Sequence, residues 1–431
     1  MRFGILTLGC KVNQYESQAL EQAGVARGHQ LCPPDSPGSL DAYIVNTCTV
    51  TAVSDQKNRQ LIRRLRREHP QAVLAVCGCF PQTHPGAAEE LGADLVCGTG
   101  DRGGFWAALE DVSARHQPAT HVDDAMKRRV FEELPSGGLS GRTRALLKVE
   151  DGCRNFCSYC IIPYARGPVR SLPLERAVEQ ARRLAGEGYR EIVINGIEIS
   201  SWGQDLPGAP GLIALLEALS AAAPGVRLRL GSLEPRTVDE DFCRRAAGLK
   251  NLCPHFHLSL QSGCDRTLRA MNRKYDTARY ARSVELLRQH FDDPGLTTDL
   301  IVGFPGEEEA DFRESLAFVE QCGFSALHIF PYSRRPGTPA DKMAGQVPAG
   351  EKKRRAAQAA LVADALRPAY WARQVGRTFP VLFEEEKGGL WQGHAPNYVP
   401  VRVSGSALHN AVRPVRITAV GEDSLLGELL P

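Results

Sequence analysis

Between residues 142 and 370 the chain repeats one pattern roughly six times: a short apolar run, then a stretch of helical period. The apolar runs fall at 146–150, 191–195, 227–231, 255–260, 297–302 and 326–330. Residues 174–186 are one of the helical stretches, with Ala177, Val178, Ala181 and Leu184 on a common face. Strands alternating with helices imply parallel βα units. Their number predicts a barrel or part-barrel, with its chemistry at the C-terminal ends of the strands.

The flanking segments read differently. In residues 1–134, strands are expected at 5–8, 42–46 and 72–77, and helices at 14–27 and 55–69, an α/β parallel-sheet pattern. The stretch PSGGLSG at 135–141 reads as a linker. From 371 to 431 the period drops to two: Phe379, Val381 and Phe383 alternate, as do Val399, Val401 and Val403, then Val415 and Ile417. Gly388, Gly389, Gly405 and Gly421 supply turns, which predicts a small all-β barrel.

The net charge of +2 announces no polyanionic partner, but residues 57–67 carry six basic side chains and no acid. That run reads either as a solvated helix face or as a phosphate-binding one. No run of about 18 apolar residues occurs, so no membrane-spanning helix is expected. The apolar start is too short for a signal peptide, and a cytoplasmic protein is expected. The 13 cysteines are odd in number, which argues against a disulfide framework and for metal or catalysis where they cluster.

They cluster most tightly in DGCRNFCSYC, where Cys153, Cys157 and Cys160 follow the first expected strand of the repeat. Three thiolates on one loop suit three irons of a cubane cluster, leaving the fourth iron open. Zinc is the competing metal, but no fourth ligand lies nearby in sequence. The spacing resembles the radical S-adenosylmethionine (SAM) superfamily, in which the open iron binds the cofactor. That resemblance implies a central radical-SAM (β/α)6 part-barrel. It implies SAM contacts at NGIE (Gly196, Glu198), at GSLEP (Ser232, Glu234), at LQSG (Gln261, with Ser262) and at TTDLIVG (Asp299, Ile301). Tyr159 resembles the residue that contacts adenine.

Over nearly its whole length the chain is similar to the methylthiotransferase family. TLGCKVNQYES, IVNTCTV and VCGCFPQ carry the N-terminal resemblance. Read alone, their cysteines are core or loop residues. The resemblance implies that Cys10, Cys48 and Cys79 hold a second, auxiliary 4Fe–4S cluster, with Cys77 a neighbour expected to point the other way. It implies two clusters and SAM as cofactors, SAM being both methyl donor and radical source. GCKVNQYES, YCIIPYARGPVRS, LSLQSGCDRTLRAMNRKY and FPYSRRPGTPA resemble the branch acting on N6-threonylcarbamoyladenosine at position 37 of tRNA. The implied reaction adds a methylthio group to carbon 2 of that base. Other branches act on isopentenyladenosine-37 or on a ribosomal-protein aspartate. Outside the family, a non-catalytic iron–sulfur or zinc RNA-binding sensor would use the same cysteines.

The terminal barrel resembles the RNA-binding module of tRNA-modifying enzymes and is TRAM-like. The partners implied are the tRNA anticodon stem-loop and an electron donor such as flavodoxin or ferredoxin. Phe379, Trp391 and Tyr398 read as barrel core, the commoner role of such residues, or as stacking aromatics. The threonylcarbamoyl group is anionic, so its pocket should hold cations, for which Arg166, Arg170 and Arg273 are the candidates.

Overall fold

The computed structural model describes residues 1–135, 137 and 143–431. The linker expected at 135–141 lies, apart from Pro135 and Gly137, outside the described residues.

Six strands form the N-terminal sheet: β1 (Arg2–Thr7), β2 (Gln30–Leu31), β3 (Ala42–Thr47), β4 (Val73–Gly78), β5 (Leu95–Cys97) and β6 (Ala119–His121). All pair in parallel, in the order β2-β1-β3-β4-β5-β6. Every residue of β3 is buried, as expected of a parallel strand covered on both faces. Helix α1 (Lys11–Ala26) places Leu20 against Phe3, Ile44 and Ala75 on one face. Helix α2 (Ala52–Glu68) places Ile62 and Leu65 against Tyr43, Val45 and Leu74 on the other. Thr51 starts α2 by accepting the Ser54 N–H at 3.1 Å, while Asp55 in the first turn and Arg66 and Arg67 in the last suit its dipole. The short strands β2, β5 and β6 escape a sequence reading because two or three residues carry no period.

The central sheet has parallel strands β7 (Arg144–Lys148), β10 (Glu191–Asn195) and β11 (Arg227–Leu230), with β7 and β11 flanking β10. Between β7 and β10 the short strands β8 (Glu150–Asp151) and β9 (Arg170–Ser171) pair with each other. A bridge from Leu228 to Leu252 continues the curve into β12 (Ser232–Leu233), β13 (His255–Leu258), β14 (Gly295–Val302) and β15 (Ala326–Pro331). Alternation divides the strand residues between two faces. Leu147, Ile192, Ile194, Leu230, Phe256, Leu258 and Leu300 enter the core under the helices. Lys148, Glu191, Asn195, Arg229, His255, His257 and Asp299 belong to the concave face. Leu146 and Val193, also concave, pack against Tyr15 and Ala19 of α1, so α1 is shared by both sheets.

Five strands, β16 (Thr378–Lys387), β17 (Leu390–His394), β18 (Pro400–Val403), β19 (Val412–Val420) and β20 (Leu425–Leu429), close a barrel in the order β16-β17-β18-β20-β19. Its core is Val381, Phe383, Trp391, Val399, Val401, Val403, Val415, Ile417 and Leu425, the alternating positions expected from the sequence. The barrel docks at the N-terminal ends of β7, β11 and β13. Tyr398 stacks on His255 (4.7 Å between centroids) and accepts from Arg144 at 3.2 Å. Arg229 donates to the Pro396 carbonyl at 2.9 Å. Gly295 permits this approach: a Cβ there would stand 2.2 Å from the Asn397 carbonyl oxygen. Trp391 is therefore barrel core, the commoner of its two readings, whereas Tyr398 is spent on docking and is neither core nor a free stacking platform.

A buried ion cluster joins the N-terminal and central sheets. Glu16 of α1 is 0% exposed. It accepts from Arg166, from Lys148 at 3.1 Å and from Arg102 at 3.3 Å. Asp151 extends the cluster to Lys148 (2.9 Å) and Arg170 (3.2 Å). Burial by itself would raise the Glu16 carboxyl; Arg166, Lys148 and Arg102 outweigh it and hold it well below the carboxylate range. Glu16→Gln strands Arg102 and leaves Lys148 and Arg166 with Asp151 as their one shared carboxylate, and it is expected to cost about 3–5 kcal/mol in urea unfolding. A carboxyl with a depressed folded pKa contributes stability above its usual 4.5 and loses it as pH falls towards the folded value. The gap between wild type and variant should therefore be full at neutral pH and narrow below about 4.5.

Candidate active site

In a strand order 2-1-3-4-5-6 the winding direction reverses between β1 and β3. Such a switch point opens a crevice beyond the C-terminal strand ends. Cys10 leaves β1, Cys48 leaves β3 and Cys79 leaves β4, three adjacent strands, so the topology delivers all three thiols to this edge. A Cβ on Gly9 would stand 2.8 Å from the Cβ of Cys48. Two asparagines fix the loops: Asn13 donates to Asn46 Oδ1 (3.1 Å) and to the Thr47 carbonyl (3.0 Å), and Asn46 donates back to the Asn13 carbonyl (3.0 Å). The Cys10 thiol donates to Asn13 Oδ1 at 3.3 Å. Gly78 has φ +103° and ψ −155°, a region open to glycine alone. Cys77 lies apart from this edge, packed with Phe3, Ile44 and Leu95 under α1.

Burial pushes the Cys48 thiol up to about 12, with the thiols of Cys79 and Cys10 adding to the shift. Burial raises the Cys79 thiol, and the positive charge of Arg166 opposes the shift.

The second triad lies on the loop after β8. Burial raises Cys153, and burial pushes Cys160 up to about 12, each with its neighbouring thiols contributing. Cys48, Cys79, Cys153 and Cys160 thus resist ionisation until a cation is present. Cys264, Asp311 and Glu314 bring three possible ligand atoms within 4.8 Å of one another; neither cysteine triad does so among the described residues. Donors about 2.3 Å from a single zinc would lie about 3.8 Å apart. The triads are too open for one zinc ion and have the chemistry for a larger thiolate-bound cluster.

Around the second triad, Arg273 donates to Cys157 Sγ at 3.2 Å, to the Ser259 carbonyl at 3.2 Å and to the Tyr275 hydroxyl at 3.0 Å. Its guanidinium is engaged beside the cluster loop. Tyr159 meets Phe304 edge-on, in an apolar group that includes Ile301. Gly196 is pressed against Glu150: a Cβ would stand 2.8 Å from its Oε2. Glu198 caps the turn Ile199–Ser201, and its backbone N–H donates to Glu150 at 2.6 Å. Ser232 is exposed at the end of β12, and Glu234 pairs with Arg236 at 3.0 Å. Gln261, at φ +69°, bridges by backbone to Asp299 and Ile301 at 2.9 Å each. Asp299 faces His257 at 3.4 Å. Ser262 instead turns under the sheet to Ser315.

Arg166 and Arg170, expected to meet the substrate, are buried in the Glu16–Asp151 ion cluster. The residues unread in the sequence are those of this buried polar layer: Glu16, Lys148, Asp151, Glu150, Asn13 and Asn46. Glu150 is the extreme case: burial raises its carboxyl, and its Oε1 has no partner. The signal available was position alone, since KVED ends two positions before Cys153 and VNQYE begins two positions after Cys10.

Residues 147–319 match the radical SAM superfamily, and residues 2–98 match uncharacterized protein family UPF0004. The chain is 37% identical, over 93% of its length and 90% of the relative's, to threonylcarbamoyladenosine tRNA methylthiotransferase MtaB of Bacillus subtilis. It is 36% identical, over 98% and 95%, to the protein of that name from Thermotoga maritima. To tRNA-2-methylthio-N(6)-dimethylallyladenosine synthase of Pelotomaculum thermopropionicum it is 32% identical over 99% and 97%. Its fold is like that of the radical SAM methyltransferase TsrM of Kitasatospora setae, at TM-score 0.58 and 18% identity, covering 79% of this chain and 75% of that one. The curved central sheet with its cysteine loop thus defines a radical SAM enzyme, whose cofactors are 4Fe–4S clusters and SAM. Within that class the chain belongs to the tRNA methylthiotransferase family.

Gly78→Ala would set a Cβ 2.5 Å from the Thr47 carbonyl oxygen in a glycine-only conformation. The expected cost is about 1–3 kcal/mol of strain. Iron and sulfide analysis should show loss at the N-terminal triad, with reductive cleavage of SAM retained.

Proposed function

We propose that this chain transfers a methylthio group to carbon 2 of N6-threonylcarbamoyladenosine at position 37 of tRNA. The observation that carries the reading is the helix Ile162–Arg166. It leaves the Cys153–Cys160 loop, whose Cys153 N–H donates to the Gly167 carbonyl at 3.0 Å, and it delivers Arg166 to Cys79. One five-residue helix therefore couples two thiol triads. In this reading Cys153, Cys157 and Cys160 hold the cluster that binds SAM, and Cys10, Cys48 and Cys79 hold the auxiliary cluster. The bound groups supply a hydrogen-abstracting radical and an activated methylthio sulfur, which no side chain offers to an aromatic C–H.

The residues themselves bind and orient. Tyr159 and Ile301 offer an apolar seat for adenine. Gly196 gives backbone access, and Glu198, Ser232, Glu234, Gln261 and Asp299 ring the strand ends with polar groups. Lys57, Arg63, Arg64 and Arg67 lie exposed on α2 and suit phosphates. Residues 1–134, 142–370 and 371–431 act as the auxiliary-cluster unit, the radical SAM unit and a TRAM-like RNA-binding unit. Work on tRNA, with an electron donor such as flavodoxin or ferredoxin, belongs in the cytoplasm. The relatives named for threonylcarbamoyladenosine favour that base over isopentenyladenosine.

Mass spectrometry of tRNA nucleosides from a deletion strain should show loss of the methylthio form of threonylcarbamoyladenosine, with the unmodified base accumulating. Loss of methylthio-isopentenyladenosine instead would sink the substrate assignment. With purified protein, Cys157→Ala should abolish 5′-deoxyadenosine formation, and Cys48→Ala should keep it but stop methylthio transfer. Transfer by Cys48→Ala would overturn the two-triad division.

A further inference from the structure

One cavity, of about 530 Å³, opens where all three units meet. Lys11 and Gln14 of α1, Arg144, Leu146 and Val193 of the central sheet, and Tyr398 beside the barrel form its wall. Its charges are unevenly satisfied. Arg144 is paired with Glu384 at 3.0 Å. Beyond its wall, Arg227 and Arg229 share Glu191, each at 2.7 Å. Glu385, at the barrel rim, is open to solvent. Lys11 lies exposed to the cavity and has no hydrogen-bond or ion-pair partner among the described residues. It is also the residue after Cys10, at the first position of α1.

We propose that Lys11 reads the carboxylate of the substrate's threonylcarbamoyl group, as the one cation of this cavity without a partner among the described residues. This rests on the function proposed above. In adenine, carbon 2 and the carbon bearing N6 flank the same ring nitrogen. A base presenting carbon 2 near Cys10 therefore has its N6 substituent within a lysine's length. The threonyl group carries a carboxylate, a hydroxyl and a methyl. The cavity offers an ammonium at Lys11, an amide at Gln14 and an apolar floor at Leu146 and Val193. An ammonium–carboxylate hydrogen bond is charge-assisted. An uncharged isopentenyl group would cover Lys11 without giving it a partner, and a site built for a polar group discriminates strongly against its absence.

The test is equilibrium binding by the reconstituted full-length protein. The probes are fluorescent anticodon stem-loops carrying threonylcarbamoyladenosine, its carboxamide-capped analogue or isopentenyladenosine. Wild type should bind the carboxylate at least roughly tenfold more tightly than the carboxamide, as a hydrogen bond to a charged group predicts. Lys11→Gln should bring the two within about twofold, and Lys11→Arg should restore part of the preference. Iron content and the unfolding midpoint should match wild type. A preference that survives Lys11→Gln, or equal weakening towards all three RNAs, would overturn the role of Lys11. Wild-type preference for the isopentenyl stem-loop would instead overturn the substrate reading on which it rests.

Discussion

The carboxylate of Glu16 is the point on which the assembly turns. It is buried between two sheets and answers three cations that come from three different segments of chain. Burying one such charge alone is prohibitive, and burying four is tolerable only when geometry pairs them closely. Arg166 brings the constraint to chemistry. The same guanidinium that pairs with Glu16 acts by its charge on Cys79, and it closes the helix that leaves the Cys153–Cys160 loop. The ion cluster thus ties the helix that leaves one triad to α1, which follows Cys10 of the other.

Each triad is then an outcome of strand topology. In the N-terminal sheet, the reversal of winding between β1 and β3 opens the edge onto which three neighbouring strands deliver a cysteine. Glycines at positions 9 and 78 and the Asn13–Asn46 pair let the backbones approach closely there. The turn at Gly78, rather than strand alternation, separates Cys77 from Cys79: Cys77 lies in the core below α1, and Cys79 opens the helix that follows the strand. A second tie lies on the far side, where Arg335 of the loop after β15 pairs with Asp55 of α2 at 2.9 Å. The N-terminal unit is thereby gripped at both the Cys48 loop and α1.

The terminal barrel illustrates how context reassigns a residue. Tyr398 has the appearance of an RNA-stacking aromatic in the sequence. In the fold it fills the base of the central sheet, between His255 and His394 and under Arg229. An aromatic face desolvated by two imidazoles and a guanidinium contributes to docking and has no face left for a base.

Much was determined by the sequence itself. Hydrophobic period placed the helix Leu174–Gly186 and the strand Glu191–Asn195 to the residue and α1, α2 and the other central strands to within a few residues, because burial on one face imposes that period. The alternating valines of 399–403 specified barrel strands for the same reason. Cysteine spacing and motif wording specified the family. Only the tertiary structure decided the partners of the charged residues. Arg166 and Arg170 read equally well as substrate cations or as internal ion pairs. What distinguishes the two is whether Glu16 and Asp151 stand opposite them, 150 and 19 positions away. Coulombic partners are chosen by proximity in space, which carries no local period. The buried polar layer that positions the chemistry therefore stayed illegible until the chain was folded.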